Sequence, residues 1–570
     1  MARSSLFHAL RRALRKSSPT RAEGESGFSR RQFMGSLGAL AVVPALSACG
    51  DDGGDDALPI AVIGGGIAGL SAAYFLALAG VRVNVYEASM RIGGRMYTDR
   101  SSLAGGQLVE LGGELVDSNH VVVPALCEAF GLTLDDLVEA TAGLAQDTFH
   151  FDGAVLDEAD IVDAFTPVAA QMQAALAATE SETDPTSIAE FERIDAMSIP
   201  QYLETECGLA STAMIRRLLE LAYTEEYGLA ASEQSAWNLI YLIDSETPDP
   251  FRVFGDSDER FHIHEGNDAL PAALGEELAD RVKLEHRLTR VARDGERFVL
   301  TFAGPSGDVE VRADHVVYAL PFTKLREVDL EGAGLSDDKR EVIEQLGYGT
   351  NAKLMLQFSD RHWETAHSAG GGAITDVGEL QTIWATSRGQ AGTQGILTNF
   401  VGAARGLTIG EGTPESQAQT VLPWIETVFP GTAAKYVAGS AIRQHWPSYE
   451  HTKGSYGCYT VGQWRFFGIE GAREGNQHFC GEHCSEDFQG YMEGGAETGT
   501  MVAAEILDDL GVAHPALLAM LVEDALSQRP RASYHAGFGK KMRVSQIRKR
   551  RTVRRHEEPR VEVAPARRVR

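Results

Sequence analysis

Apolar and polar positions fall in blocks that predict a mixed α/β chain with no internal repeat. An apolar run, Ile60-Ala-Val-Ile63, reads as a buried strand and leads into Gly64-Gly-Gly66-Ile-Ala68-Gly69. A helix-patterned stretch follows, then a second strand-like run over residues 81–86 that ends on Glu87. Strand, tight glycine turn and helix set backbone N–H groups and a helix N-terminus where a pyrophosphate would lie. An acid about twenty residues further on is placed to accept ribose hydroxyls, so this block predicts dinucleotide binding. Residues 186–243 are patterned as helix, with Leu218, Leu221, Leu239 and Leu242 spaced for amphipathic packing. Later strands are expected over residues 298–302, 309–317 and 353–358. A glycine-turn strand completed by segments far along the chain implies two domains threaded through each other.

Both ends depart from this pattern. Residues 1–31 are basic and polar and carry Ser29-Arg30-Arg31-Gln-Phe33-Met34; a modestly apolar run over residues 35–46 follows. That run is shorter than the roughly 20 residues a membrane-spanning helix needs, so leader and run read as a cleavable signal peptide. The arginine pair resembles a twin-arginine signal, a route that carries proteins already folded, and Leu46-Ser-Ala-Cys49 resembles a bacterial lipobox. These resemblances imply passage through the twin-arginine export machinery, a membrane anchor on lipidated Cys49, and a periplasmic or cell-envelope location. Gly50-Asp-Asp-Gly-Gly-Asp-Asp56 reads as a flexible tether. Residues 540–570 hold 13 basic and 3 acidic side chains, a tail expected to be disordered.

The formal charge of -28 conceals that asymmetry: +6 over residues 1–50, -4 over 51–56 and +10 over 540–570 leave -40 on residues 57–539. Such a body attracts cations and repels nucleic acid, which is not expected as a partner. The six cysteines (Cys49, Cys127, Cys207, Cys458, Cys480 and Cys484) are irregularly spaced and outline no disulfide framework. Cys480 and Cys484 bracket Gly-Glu-His, but two thiols and one histidine do not close a zinc site. They read as packing residues, and no metal site is expected.

With these residues in view, residues 59–510 resemble, as an ordered series of motifs, the flavin-containing amine oxidase family, which includes monoamine, polyamine and L-amino-acid oxidases. The resemblance implies FAD as cofactor, held in an extended pose. It also implies a two-domain α/β fold, with a Rossmann-like FAD domain and an interleaved α+β substrate domain. The FAD domain would take residues 57–125, 258–336 and 447–511, and the substrate domain 126–257 and 337–446. A signal peptide over 1–48, a tether over 49–56 and a C-terminal extension over 512–570 complete the chain. In the family pattern Gly64, Gly66, Ala68 and Gly69 hold the pyrophosphate, Glu87 holds the adenosine ribose, and Arg91-Ile-Gly-Gly94-Arg95 continues the phosphate grip. Val109-Glu-Leu-Gly112-Gly113-Glu114 resembles the loop that passes the flavin edge. Arg281-Val-Lys-Leu-Glu-His-Arg-Leu288 resembles the strand that presents an apolar side chain to adenine, and Val316-Val-Tyr-Ala-Leu-Pro321 a second wall strand. Phe479-Cys-Gly-Glu482-His483 and Gly490-Tyr491-Met492-Glu-Gly494 resemble the paired flavin-contact segments. Apolar periodicity through Met501, Ala504 and Leu507 predicts a helix there, whose N-terminus would stabilise negative charge on a reduced flavin.

Three side chains are candidates for the chemistry. Lys353 alternates with Leu354, Leu356 and Phe358, and alternation alone reads it as a solvated lysine. The resemblance implies instead a lysine water-bridged to the flavin and engaged in oxygen activation. Tyr456 and Tyr491 match positions where relatives place aromatic rings flanking the substrate nitrogen, and Trp446 is expected to line the same pocket. Two departures matter. Amino-acid oxidases of the family commonly carry an arginine just after the Gly112-like turn, for the substrate carboxylate; here Glu114-Leu115 stand there. Gly457-Cys458-Tyr459 spells a covalent flavin-attachment motif, yet the spacing to Gly462 and Gln463 fits Gly454-Ser455-Tyr456 better, so FAD is expected to be non-covalent. The implied activity is oxidation of a primary or secondary amine to an imine, hydrolysed to a carbonyl compound, with O2 reduced to hydrogen peroxide. An L-amino-acid oxidase, a dehydrogenase or desaturase feeding a quinone, and a non-catalytic flavin-binding protein share the same motifs.

Overall fold

The computed structural model describes residues 58–181 and 183–528. The leader, Cys49, the tether and the basic tail lie outside the described residues. A five-stranded parallel sheet is assembled from distant segments, in the order Gln477–Phe479, Val316–Tyr318, Ile60–Ile63, Val83–Tyr86 and Val282–Lys283. Alternation along the central strand sorts its side chains by face. Ile60 and Val62 join a core with Leu70 and Phe75 of the Ile67–Leu78 helix and with Ile506 and Leu507 of the Met492–Leu510 helix. Ala61 and Ile63 face a second core shared with Leu300 and Phe302 of an antiparallel sheet of three strands, Arg287–Asp294, Arg297–Gly304 and Gly307–Ala313. Cover on both faces explains why the strand reads as an unbroken apolar run.

The two helices cross closely because glycine lets them. A Cβ on Gly499 would overlap the Ala68 carbonyl, and one on Gly495 would sit 2.9 Å from Ile67 Cγ2. Glu493, fully buried in the first turn of the later helix, accepts the N–H groups of Val121, Val122 and Val123 and so caps the Val122–Phe130 helix.

A seven-stranded sheet runs Ile442–His445, Ala352–Phe358, Gly395–Val401, Gln381–Ala385, Ala369–Thr375, Ala145–Phe151 and Ala154–Val155. It is antiparallel except where Ala369–Thr375 meets Ala145–Phe151. The helical insert contains Glu158–Ala178, Pro185–Asp195, Ile199–Thr205, Met214–Tyr227 and Ala236–Leu242. Its breaks are chemical: Asp157, Asp184, Ser198 and Ser235 each cap the next helix, with a capping box from Ser198 to Gln201. Among the described residues no helix is long and apolar enough to cross a membrane.

Several sequence expectations need correction. Residues 309–317 are two strands, because the chain passes Asp314 and His315 between the antiparallel and the parallel sheet. Residues 281–288 are not one strand either. Val282–Lys283 closes the parallel sheet, Glu285 turns at φ +57°, and Leu288 opens the antiparallel one. The body also continues past residue 511: a helix over Ala516–Gln528 buries Leu518 and Leu521 in the same core as the Met492–Leu510 helix.

Candidate active site

The C-terminal ends of the parallel strands open onto a cavity of about 320 Å³. Gly64, just after the central strand, turns at φ +110°, and a Cβ there would collide with the Ala319 carbonyl. A Cβ on Gly69 would overlap the Gly64 carbonyl, so this glycine acts by close helix–strand packing and is the one expected site residue that does not line the cavity. Glu87 accepts Gly65 N–H at 2.8 Å on one oxygen and Ser89 N–H at 2.8 Å on the other, which leaves lone pairs for further donors. Gly93 N–H donates to the Gly65 carbonyl at 2.8 Å and locks the second glycine pair beside the first.

Two helix N-termini meet in this cavity. The Ile67–Leu78 helix starts at Gly66 and the Met492–Leu510 helix at Tyr491, and neither has a side-chain cap. Gly66, Ala68, Tyr491 and Met492 line the wall. Uncapped N–H groups and two positive helix ends suit an elongated anionic group. His483, 1% exposed and on the same wall, has no hydrogen-bond partner on either ring nitrogen, and Gln489 Nε2 is likewise unmatched. Burial first, and then Arg95, hold the His483 imidazole well below its ordinary range, so it meets the cavity neutral. Arg95 donates to Glu482 at 2.8 Å and to the Ser455 carbonyl, and Glu482 accepts Gly490 N–H at 3.0 Å. Gly94, Arg95, Gly113, Leu288 and Glu482 all line the cavity. The residues present therefore fit a flavin dinucleotide: Glu87 at one end, glycine turns and open helix termini in the middle, and unmatched buried donors and acceptors beyond.

The far end holds Lys353. The sheet face opposite Leu354, Leu356 and Phe358 turns out to be interior, and Lys353 is only 4% exposed, which corrects the reading from alternation. Its ammonium donates to Glu114 Oε2 at 2.7 Å, to the Gly112 carbonyl at 2.8 Å and to the Glu110 carbonyl at 3.2 Å. The other Glu114 oxygen accepts Trp384 Nε1 at 2.9 Å and the Thr386 hydroxyl at 2.8 Å. Burial pushes the Glu114 carboxyl up, but Lys353 and these donors outweigh it and hold it below the usual carboxylate range. Glu114 lines the cavity as expected, with its carboxylate committed to the lysine.

Around this pair stand Tyr227, Trp384, Phe400, Tyr456 and Tyr491. The Tyr456 hydroxyl donates to the Glu226 backbone carbonyl, and the Tyr491 ring meets His120 edge-on at 5.6 Å. Burial first, then nearby carboxylates, push both phenols well up, so they stay neutral. Trp446 lines the cavity but turns its indole N–H to the Leu111 carbonyl at 3.1 Å, bracing the Gly112 loop. Cys458 does not line the cavity: its sulfur lies 3.6 Å from Asn238 Nδ2, and burial pushes the thiol up.

Two acids here carry no signal along the chain. Glu226 and Glu259 also line the cavity. By surface Glu226 is half-buried and Glu259 exposed at the cavity wall; the protein crowded around each carboxyl, and then Asp117, push them up to about 7 and about 8. Glu259 is held at φ +44°, a left-handed conformation that is uncommon for a residue with a side chain.

The model of the flavin-containing amine oxidoreductase family matches residues 67–507. The chain belongs to this family. YobN of Bacillus subtilis (strain 168), provisionally named an L-amino-acid oxidase, is 26% identical over 78% of this chain and 94% of its own length. The L-amino-acid oxidase of Siganus canaliculatus is 24% identical over 78% and 85%. Among solved structures, putrescine oxidase bound to putrescine superposes with a TM-score of 0.67 at 19% identity, covering 79% of this chain and 99% of that one. Cyclohexylamine oxidase from Brevibacterium oxydans IH-35A gives 0.68 at 21%, covering 80% and 100%. The fold is thus that of the FAD amine oxidases, FAD is the cofactor, and the protein is an oxidoreductase acting on amines.

Proposed function

We propose that the protein oxidises a primary or secondary amine that lacks an α-carboxylate, with dioxygen as electron acceptor, and that a second positive charge on the substrate is read by Glu226 and Glu259. The observation that carries this is the charge at the Lys353 end of the cavity. The lining arginines, Arg91, Arg95 and Arg287, all accompany the dinucleotide-binding segments, Lys324 is paired with Glu327, and Lys353 is already paired with Glu114. Apart from those arginines, a substrate carboxylate has no free cation to meet among the described lining residues, whereas an ammonium meets two carboxylates.

FAD supplies the acceptor for the hydride equivalent that leaves the α-carbon. The chain's part is to bind and orient. Tyr456 and Tyr491 present ring faces that hold an amine nitrogen between apolar walls. Glu226 and Glu259 fix the remote end of the substrate, so the reacting C–H bond is positioned by binding energy rather than by an acid–base pair. Lys353, held by three oxygens, keeps a fixed positive charge where oxygen chemistry would occur. The amine loses a hydride from carbon and a proton from nitrogen to give an imine, which water hydrolyses to a carbonyl compound and ammonia or a smaller amine. Two electrons and two protons convert O2 to hydrogen peroxide. The position of the Cys458 thiol supports non-covalent FAD.

The deciding experiment is anaerobic bleaching of the flavin's visible absorbance by monoamines, diamines and L-amino acids, followed by admission of air. Bleaching by amines, with fast recovery and peroxide on aeration, is expected. Selective bleaching by L-amino acids would favour the alternative to which the relatives' names point, and slow recovery in air would favour a dehydrogenase with another acceptor. Export by the twin-arginine route and lipidation at Cys49 belong to the same reading. Processing of the full chain in cells should fail with Arg30-Arg31 replaced by lysines, and membrane association should fail with Cys49→Ser.

A further inference from the structure

Away from the cavity, at the opposite edge of the parallel sheet, His315 precedes the Val316–Tyr318 strand and His478 sits within the neighbouring Gln477–Phe479 strand. Both are buried, at 6% and 0% exposure, and His315 Nδ1 lies 3.2 Å from His478 Nε2. Asp509, exposed on the last turn of the Met492–Leu510 helix, brings a carboxylate to the same place, and the three ligand atoms lie within 4.8 Å of one another. We infer that His315, His478 and Asp509 form a binding site for a divalent transition-metal ion of the zinc class, independent of the flavin site.

Three observations converge on this. Two nitrogens each about 2.0–2.1 Å from a tetrahedral ion stand roughly 3.3 Å apart, close to the separation seen. His478 Nδ1 is 2.7 Å from Glu505 Oε2; a carboxylate can only accept, so it fixes the tautomer that leaves Nε2 with a free lone pair. Finally, Asp508 and Asp509 occupy the C-terminal turn of a helix with no basic residue in that turn, where the macrodipole disfavours acids and favours a cation.

The ion would cost one contact. Arg473 now pairs with Asp509 at 2.7 Å and Glu505 at 3.4 Å and would give up the former. The imidazoles now face each other nitrogen to nitrogen, with ring centroids 5.5 Å apart, as in a direct N–H···N bond. Each ring must tilt, and His315 must move its proton from Nδ1 to Nε2, which changes no net charge. Asp509, at the surface, closes the remaining gap and leaves a fourth position to water, an open tetrahedral set.

The test uses untagged, FAD-loaded full chain freed of metal by chelation. Zn2+ is titrated against a chromophoric chelator, with thermal unfolding in parallel and flavin absorbance as the check on the fold. One zinc per chain and a zinc-dependent rise in Tm are expected. Asp509→Asn, a surface change that leaves the core intact, should weaken binding at least tenfold, and Glu505→Gln about 10- to 100-fold. His478→Gln should abolish it. Zinc bound no more tightly by the parent chain than by Asp509→Asn and Glu505→Gln, at unchanged flavin content, would overturn the assignment and leave the histidines a simple hydrogen-bonded pair.

Discussion

Replacing Glu114 by glutamine tests whether the Glu114–Lys353 pair is an organising element of the catalytic end. The side chain keeps its shape and loses only charge and one acceptor. In the parent, one carboxylate oxygen faces the Lys353 ammonium at 2.7 Å while the other takes Trp384 and Thr386. A glutamine cannot serve both sides. If its carbonyl keeps Trp384 and Thr386, its NH2 confronts the ammonium; if it flips, two donors confront the NH2. Both side chains are about 5% exposed, so water cannot repair the mismatch. Removing one partner of a buried pair costs about 3–5 kcal/mol. Lys353→Met should cost a comparable amount by leaving the carboxylate buried alone. The double variant removes the conflict, so its loss should fall short of the sum by about 3 kcal/mol.

Thermal unfolding and denaturant titration of the FAD-loaded chains measure this. For the roughly 470 described residues the unfolding entropy is about 1 kcal/mol/K, so each single change should lower Tm by about 3–5 °C. The pH dependence gives a second reading with a fixed sign. The Glu114 carboxyl is held below its ordinary value of 4.5, so its contribution is present above that value and lost as pH falls below it. The stability gap between parent and Glu114→Gln should therefore narrow on acidification below about 4.5. Additivity of the two single changes within about 0.5 kcal/mol, or a gap that widens in acid, would refute the reasoning.

Three further outcomes are expected. Glu226→Gln and Glu259→Gln should each raise KM for a diamine about 10- to 100-fold, the loss of one charged hydrogen bond, and change KM for an uncharged-tail monoamine little. Because Glu226 and Glu259 are pushed up to about 7 and about 8, diamine KM in the parent should fall as pH rises through that window while the acids ionise, and both variants should flatten the trend; a flat parent profile would count against the assignment. Gly499→Ala, whose Cβ would overlap the Ala68 carbonyl, should separate the two cofactor-facing helices and lower flavin content, read from the visible absorbance per chain. Cys458→Ser should leave flavin fully releasable by acid denaturation, as in the parent; flavin retained on the parent polypeptide would show a covalent bond.

What the sequence made legible was local. The glycine turn, the strand before it and Glu87 lie within thirty residues, and their chemistry follows from spacing alone. The Met492–Leu510 helix and the strand carrying Lys353 were likewise visible in their own periodicity. The direction Lys353 faces was not, because alternation separates two faces without saying which one is covered. Its partner Glu114 lies 239 residues away, and no local pattern announces a pair at that distance. Glu226 and Glu259 were hidden for a related reason: one is a charged residue in a helix-rich insert and the other lies in the loop before the Phe261–Ile263 strand, and nothing local shows that both face one cavity. His315, His478 and Asp509 carry no spacing signature at all, since a zinc set is recognisable in sequence only when its ligands are close along the chain.

The relatives and the cavity pull in different directions on substrate class, and the residues say which should prevail. L-amino-acid oxidases share 24–26% identity with this chain over most of its length, but identity at that level is spread over the core that any member must keep. Substrate class is set by a few side chains at the end of the cavity. A carboxylate brought there would face Glu226 and Glu259, and its one nearby cation, Lys353, would have to leave Glu114 to meet it. Removing one member of a buried pair costs about 3–5 kcal/mol, which offsets most of what a new charged contact returns. An ammonium needs no such exchange: it meets two acids whose ionisation their surroundings, Asp117 among them, disfavour. The same balance predicts that cationic ligands raise Tm more as pH climbs from about 7 to about 8, where the empty cavity pays most for ionised Glu226 and Glu259. Ligand stabilisation that stayed constant across that window would show that these two carboxylates do not meet the bound amine.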